Sequence, residues 1–139
     1  MFGTPMPGRE PEKTSTVNVE GVMSEVTSLL GVSAVLIVDE NGEVIHQWYR
    51  TLLDRSRMEI GGSEIRDLVK STVDFVGRLG GGAMDNMILR SDTSTVLVQI
   101  AGKQALFIFA DKRANLALLI IRAKRVAQII LTGSPPRIQ

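Results

Sequence analysis

The sequence offers few side chains that could carry out catalysis or bind a metal. Its 139 residues include no cysteine and a single histidine, His46, which is followed by Gln47 and Trp48 in a β-prone stretch. A lone histidine cannot by itself form a catalytic triad or a metal site, because each needs further groups beside it. We therefore predict no catalytic residue, no metal and no cofactor.

Two other features could indicate a ligand site. The three glycines at residues 80–82 could cradle a phosphate, but they follow a helical pattern instead of a strand, and the spacing Gly-x-x-x-x-Gly-Lys-Ser/Thr does not occur. Asp39, Glu40 and Glu43 lie at a predicted turn, where turn chemistry alone favours acidic residues. A helix end and a hairpin turn are the simpler interpretations.

Length and charge indicate one ordinary globular domain. The 16 lysines and arginines nearly balance the 15 aspartates and glutamates, so charge does not argue for binding to nucleic acid or to an anionic membrane. The absence of cysteine fits a reducing compartment. No signal peptide or membrane-spanning pattern is present, and we expect a cytoplasmic protein.

Two unbroken apolar runs, residues 34–38 and 105–110, show no alternation between apolar and polar side chains. This pattern is typical of central strands that are covered on both faces. After the first run, Asn41 and Gly42 predict a hairpin with a type I′ turn that leads into an edge strand at residues 43–48.

The second half of the sheet is predicted as a meander. Residues 87–90, 95–101 and 104–110 are β-prone and are separated by short polar turns, which indicates antiparallel neighbours. A charged connector at residues 50–60 precedes the middle helix. The order of elements is therefore helix, two strands, helix, three strands, helix, and helices on both faces of the sheet make a three-layer α/β/α domain of the α+β class.

Helical periodicity predicts the three helices. The first covers residues 19–30 and stops at Gly31. Ser63 is predicted to cap the middle helix, which ends at the glycines of residues 80–82. The last helix follows the second apolar run.

The middle helix has an unusually broad apolar face. Its members are Ile65, Leu68, Val69, Thr72, Val73, Phe75, Val76 and Leu79. At 100° per residue they span about 160°, which is wider than one sheet face needs. The surplus edge lies near Val69 and Val73. It adjoins Arg66, Lys70 and Gly77, so the helix either contacts a second molecule as well as its own sheet or is deeply seated.

The order of elements resembles the Roadblock/dynein light chain family. The residues that carry the resemblance are GVSAVLIVDENGE at 31–43, the turn at Gly102 and NLALL at 115–119. The resemblance covers residues 17–132, between a proline-rich arm predicted to be flexible at residues 1–16 and a short tail at 133–139. It implies a profilin-like fold with a five-stranded antiparallel sheet in the order 2-1-5-4-3.

The resemblance also implies self-association, because members of the family form homodimers or heterodimers through their third strands and middle helices. The residues it places at such an interface are Asn86, Met87, Ile88, Leu89 and Arg90 of the third strand, with Val69 and Val76 of the middle helix. An edge strand of this kind, with no lysine or proline to protect it, is an aggregation hazard unless it is paired. A two-fold pairing would remove that hazard.

Roadblock proteins act as platforms for small Ras-like GTPases, and one bacterial polarity regulator of the family accelerates GTP hydrolysis without inserting a catalytic arginine. The resemblance therefore implies a GTPase partner. The residues expected at that contact are Arg66, Lys70, Val73, Asp74 and Gly77, and a solvated charged edge is the alternative interpretation. A scaffold can activate hydrolysis by holding the partner's switch residues in place, with no active site of its own.

Other functions stay open at this point. A sensor module could hold a small molecule in its core, with Thr72 and His46 as the candidate polar groups. Trp48 and Tyr49 either contact another protein or pack under the first helix or the connector.

Overall fold

A computed structural model describes residues 19–133. Its elements, in chain order, are α1 (Val19–Thr27), β1 (Val32–Val38), β2 (Val44–Tyr49), α2 (Leu52–Arg57), α3 (Gly62–Arg78), β3 (Asn86–Arg90), β4 (Ser94–Ala101), β5 (Gln104–Asp111) and α4 (Leu116–Thr132). The predicted arm at residues 1–16 and all of the predicted tail except Gly133 lie outside the described residues.

The five strands form one antiparallel sheet in the order β2-β1-β5-β4-β3. Every residue of β1 is buried, and β5 pairs with both β1 and β4. This central position explains why the two apolar runs lack a polar face. The predicted strand order is confirmed, and β2 and β3 are the two edges of the sheet.

Successive side chains of β1 point to opposite faces of the sheet. Val35 and Ile37 belong to a core that is covered by α1 and α4. Leu36 and Val38 belong to a second core on the side of α3. The predicted three-layer architecture is therefore confirmed.

Helix α4 covers the first core along most of its length. The N–H of Leu118 donates to Oδ1 of Asn115 at 3.0 Å, and Gly133 ends the helix with φ 77°. A polar N-cap and a left-handed glycine are common helix boundaries. The buried residues of α4 are Leu119, Ala123, Val126, Ala127 and Ile129.

The turn between β1 and β2 is not the predicted type I′ turn. The N–H of Gly42 donates to the carbonyl oxygen of Asp39 at 3.0 Å, so the central residues are Glu40 and Asn41. Gly42 has φ 84° and completes a three-residue loop, which is another common hairpin connection. The N–H groups of Asn41 and Glu43 each donate to Oδ1 of Asp39 at 2.9 Å, which confirms a turn role for this carboxylate.

The predicted connector at residues 50–60 contains the short helix α2. Its N-cap is Thr51, whose Oγ1 accepts a hydrogen bond from the N–H of Asp54 at 3.0 Å. A helix of six residues is too short to show a helical period in the sequence, which is why the prediction missed it.

Two predicted helix ends are also wrong. Helix α1 ends at Thr27 instead of residue 30, because the chain turns through three further residues before Gly31, which has φ 88°. The N-cap of α3 is Gly61 and not Ser63. Oε1 of Glu64 accepts a hydrogen bond from the N–H of Gly61 at 2.7 Å, so the capping interaction comes from within the first turn.

Candidate functional site

Helix α3 is fixed to the domain at its N-terminal end. Gly62 lies against the β1–β2 turn so closely that a Cβ there would overlap the carbonyl oxygen of Gly42. Nη1 of Arg66 donates to the carbonyl oxygen of Asn41 at 3.1 Å, and Ile65 is completely buried. After Ile65 no residue of α3 is buried. The glycine contact and Ile65 therefore set the position of the helix.

The rest of α3 and its C-cap, Leu79, leave large apolar side chains in solvent. The exposed fractions are 42% for Val73, 61% for Phe75 and 70% for Leu79. The surplus edge was predicted near Val69 and Val73, but Val69 is half-buried and the most exposed members of the apolar face are Phe75 and Leu79. Helical periodicity gives the direction of an apolar face, but it does not tell how far along the helix that face stays on the sheet.

Two flanks of α3 border the stripe that faces the sheet. On a helical projection at 100° per residue, the first flank spans an arc of about 60° around the helix axis and the second an arc of about 40°. The first, which we call the cleft flank, comprises Arg66, Lys70, Val73 and Gly77. The second, which we call the apolar flank, comprises Leu68, Phe75 and Leu79. The helix thus presents two chemically different surfaces on its two sides.

The cleft flank borders a cleft of about 340 Å³ between α3 and the ends of β1, β4 and β5. The apolar residues that line this α3 cleft are Val38, Val69, Val73, Ala83, Met84, Ile100 and Ala105, and the charged ones are Asp39, Glu40, Arg66, Lys70 and Lys103. Arg66 lies 2.9 Å from Asp67, and Lys103 lies 3.9 Å from Glu40. Within residues 19–133, Lys70 forms no ion pair, so its charge is available to a partner.

The structure brings three of the five residues expected at a GTPase contact to the α3 cleft, namely Arg66, Lys70 and Val73. Asp74 lies beside this group and pairs with Arg78 at 3.2 Å. Gly77 has open space where a Cβ would project. The five residues therefore lie on one side of α3, with Arg66 half-buried and the other four exposed.

The backbone of β3 is open along its outer side. The N–H of Ile100 donates to the carbonyl oxygen of Asp85 at 3.0 Å, which fixes the alternation of the β3–β4 ladder. In an antiparallel ladder every second residue points its N–H and C=O away from its neighbour. In β3 these residues are Asn86, Ile88 and Arg90, and no described strand pairs with them. The side chain of Leu89, 45% exposed, lies beside this open edge.

Gln99 holds the start of β3 in place, and sequence reasoning missed this role. Its side chain is only 2% exposed, and its Nε2 donates to the carbonyl oxygen of Asp85 at 3.1 Å and to Oδ1 of Asp85 at 3.2 Å. Oδ2 of Asp85 in turn lies 3.2 Å from Nζ of Lys124 in α4. The alternation of β4 could have indicated that Gln99 is buried, because Gln99 shares a strand face with Leu97, which is fully buried.

Thr72 and His46, the polar groups proposed for a ligand-binding core, do not form a polar site in the core. Thr72 is half-buried, and its hydroxyl donates to the carbonyl oxygen of Leu68 at 2.8 Å. His46 is half-buried on the edge strand β2. Trp48 packs against the core under α1, and Tyr49 packs against the core on the α3 side. Both stay half-buried on the edge strand, so contact with another protein stays a prediction.

Within residues 19–133, no group of three histidine, aspartate or glutamate side chains is placed to hold a metal ion. None of the helices in that range is long and apolar enough to cross a membrane. The surfaces that stand out are therefore the open β3 edge and the two flanks of α3.

Residues 18–110 match the family described as the Roadblock/LC7 domain. The chain belongs to the Roadblock/LC7 family. The match runs from the start of α1 to the end of β5, so it includes both the β3 edge and α3 of this Roadblock/LC7 chain.

Solved structures confirm the profilin-like Roadblock fold. Myxococcus xanthus MglB superposes with a TM-score of 0.68 at 19% identity, over 85% of this chain and 95% of MglB. MglB with tetrameric arrangement gives 0.63 at 19% identity, over 91% and 90%. Acanthamoeba castellanii profilin IA gives 0.56 at 10% identity, over 82% and 96%. No curated protein sequence matches the Roadblock/LC7 chain.

Proposed function

We propose that this Roadblock/LC7 chain is a dimeric regulator of a small Ras-like GTPase in the cytoplasm and has no active site of its own. The observation that carries the proposal is the exposed apolar surface of α3, with Phe75 and Leu79 in solvent, in the same molecule as an open β3 edge. Exposed apolar surface and an unpaired strand edge are both features of protein contact sites. The GTPase partner follows from what family members resembling this chain do.

The dimer we propose is a two-fold pairing of β3 with β3 of a second copy, centred on Ile88. The outward backbone groups belong to Asn86, Ile88 and Arg90. With Ile88 opposite Ile88 of the second copy, Asn86 lies opposite Arg90 of that copy. All three residues then form hydrogen-bonded pairs through their backbone N–H and C=O groups. The pairing joins two five-stranded sheets into one of ten strands, and it satisfies the open edges of both copies at once.

The apolar flank of α3 provides the second part of this dimer contact. A two-fold axis perpendicular to the sheet puts the α3 helices of both copies on the same face. Phe75, Leu79 and the half-exposed Leu89 of β3 are the apolar side chains that such a contact would cover. Val69 and Val76, expected at the interface from the resemblance, are both half-buried, Val69 against the core of the sheet, and would contribute at the border of the contact. That MglB has been solved with a tetrameric arrangement agrees with self-association in this fold.

The GTPase contact we propose lies on the cleft flank and the α3 cleft. Lys70 supplies a positive charge with no ion pair in the described residues, beside Arg66 and Lys103, which pair with Asp67 and Glu40, around an apolar floor. A switch segment with an acidic and an apolar side chain would fit this combination. Fixing such a segment is sufficient to assemble the partner's own catalytic residues, and this protein then needs to contribute no general base or arginine.

The proposal is tested by measuring GTP hydrolysis and binding for Ras-like GTPases of the source organism, each loaded with GTP, with and without this protein. Lys70→Glu and Val73→Arg should each reduce binding at least tenfold, because they reverse the charge or block the floor of the α3 cleft. Arg57→Glu is the matched control, since this exposed arginine lies outside the cleft. Hydrolysis by this protein alone, or equal effects of all three variants, would contradict the proposal.

A further inference from the structure

The second edge of the sheet, β2, is also open. The N–H of Arg50 donates to the carbonyl oxygen of Ser33 at 2.9 Å, which sets the alternation of the β1–β2 ladder. The backbone N–H and C=O groups of Gln47 and Tyr49 therefore point away from β1. No described strand pairs with them. This edge has a cleft on each face of the sheet.

The first of these clefts lies between α1 and β2 and has a volume of about 310 Å³. It is lined by Glu20, Met23 and Thr27 of α1 and by His46 and Trp48 of β2. Met23 and Trp48 give it an apolar floor. Glu20 is exposed at its rim and forms no ion pair within residues 19–133.

The second cleft lies on the opposite face, beside the start of α2, and has a volume of about 460 Å³. Its members include Tyr49, Leu52 and Arg55. Leu52 is 84% exposed, and the guanidinium of Arg55 lies 5.9 Å from the centre of the Tyr49 ring. In the described part of the chain Arg55 has no acidic partner. Gln47 and Trp48 line both clefts, so the clefts flank the same point of the edge.

We propose that the β2 edge binds an extended segment of a partner protein by strand addition, in which apolar side chains alternate with acidic ones. A strand added to an edge points successive side chains to opposite faces, so its residues enter the two clefts alternately. The apolar side chains would occupy the cleft formed by Met23 and Trp48, and the acidic ones would face Arg55.

A second copy of this chain fits the β2 edge less well. A two-fold pairing of β2 with β2 keeps the same face of both sheets together. It would therefore place Arg55 on the same side as Arg55 of the other copy, and Glu20 on the same side as Glu20. Like charges close together are unfavourable. Because β3 lies at the opposite end of the sheet, the β2 edge would be available in a monomer and in the proposed dimer alike.

The test uses the full chain and a synthetic heptapeptide that alternates valine or leucine with glutamate. Binding is followed by the fluorescence of Trp48, the only tryptophan of the chain, and by hydrogen exchange at the amide of Gln47. We expect saturable binding and at least tenfold slower exchange at Gln47 in the complex. A peptide of the same composition with its apolar and acidic residues in separate blocks should bind at least tenfold more weakly.

Variants locate the contact. Gln47→Pro removes an outward N–H and no bond to β1, and Arg55→Glu reverses the charge of the second cleft; each should weaken binding at least tenfold. Arg57→Glu, on the same helix but outside both clefts, should change it less than twofold. Absence of binding at millimolar peptide, equal binding of the block peptide, or no effect of Arg55→Glu would overturn the proposal. So would slow exchange at Gln47 in the free chain, because the edge would then already be covered.

Discussion

Helices α3 and α4 each contain 17 residues and lie on opposite faces of the same sheet, but they are covered very differently. Helix α4 buries five residues over three turns, whereas α3 buries only Gly62 and Ile65, both in its first turn. The α4 layer is complete because α1 packs beside it. The α3 layer is covered at one end and leaves Phe75 and Leu79 in solvent. This difference separates the part of the domain that stabilises the fold from the part that we propose contacts partners.

The largest expected effect on stability comes from the buried side of this comparison. Leu119 of α4 is completely buried, and Leu119→Ala should lower the free energy of unfolding by about 2–5 kcal/mol. Phe75→Ala in α3 should lower it by no more than about 0.5 kcal/mol, because the side chain is 61% exposed. Urea unfolding at low protein concentration, where self-association does not contribute, measures both. Similar losses for the two variants would show that α3 is seated as firmly as α4.

A second test addresses the end of α3 that is fixed. Gly62→Ala should destabilise the protein by about 1–3 kcal/mol, since the added methyl group overlaps the carbonyl oxygen of Gly42 and must displace the helix from the turn. Gly77→Ala is the matched control. No atom lies within 4 Å of a Cβ at Gly77, and alanine favours helix, so this variant should gain up to about 1 kcal/mol. Thermal unfolding distinguishes them, and equal changes would contradict a helix anchored by Gly62.

Gln99 connects the β3 edge to the well-packed side of the domain. Gln99→Met keeps the volume of the side chain but removes its hydrogen bonds to Asp85, and we expect a loss of about 1–3 kcal/mol. Hydrogen exchange should also become faster at the amides of β3, while those of β1 change in proportion to global stability alone. Unchanged exchange in β3 would show that Gln99 does not hold this edge.

The smallest expected effect concerns pH and lies where β5 leads into α4. Asp111 accepts hydrogen bonds from the guanidinium and the N–H of Arg113, at 2.8 and 2.9 Å, and Nη1 of Arg50 lies 3.6 Å away. The hydrogen bond from the Arg113 side chain is the main cause that lowers the pKa of Asp111 from 3.8 to about 2, and the charge of Arg50 adds to it.

Because this pKa is lower in the folded state, the stabilising contribution is fully present above about pH 4 and is lost as the pH falls toward 2. The carboxylate is 31% exposed, so solvent screening limits the effect to about 1 kcal/mol. Between pH 5 and pH 2.5 the wild type should lose more stability than Asp111→Asn in urea unfolding. Parallel losses in the two proteins would contradict the lowered pKa.

Local patterns predicted the sheet well because its central strands are covered on both faces and its turns are short. The unbroken apolar runs in β1 and β5 gave their central positions, and Asn41 with Gly42 located a hairpin even though the turn type was wrong. The predicted end of α1 and the predicted N-cap of α3 each differ from the structure by only a few residues. The N-cap of α3 was predicted at Ser63, whereas it is Gly61, which Glu64 caps. The sequence does not distinguish these positions, because two adjacent glycines and a serine all suit a helix start.

The candidate surfaces were harder to predict because they depend on where an element lies, which periodicity does not encode. The broad apolar face of α3 correctly indicated surplus apolar surface. Of the predicted edge at Val69 and Val73, however, only Val73 is exposed, and the larger exposed excess is at Phe75 and Leu79. The α3 cleft also includes Lys103 and Met84, which are distant in sequence from the helix residues they face. Only the folded chain brings these groups together.

The central claim, that one copy is completed by a second through β3 and α3, is tested most directly by sedimentation equilibrium of the full chain at micromolar concentration. We expect twice the mass of one chain. Ile88→Pro, which removes an outward N–H of β3, and Phe75→Glu, on the apolar flank, should each shift the protein toward one chain, whereas Gln47→Pro at the opposite edge should not. A wild-type protein that sediments as a single chain at that micromolar concentration would contradict the account.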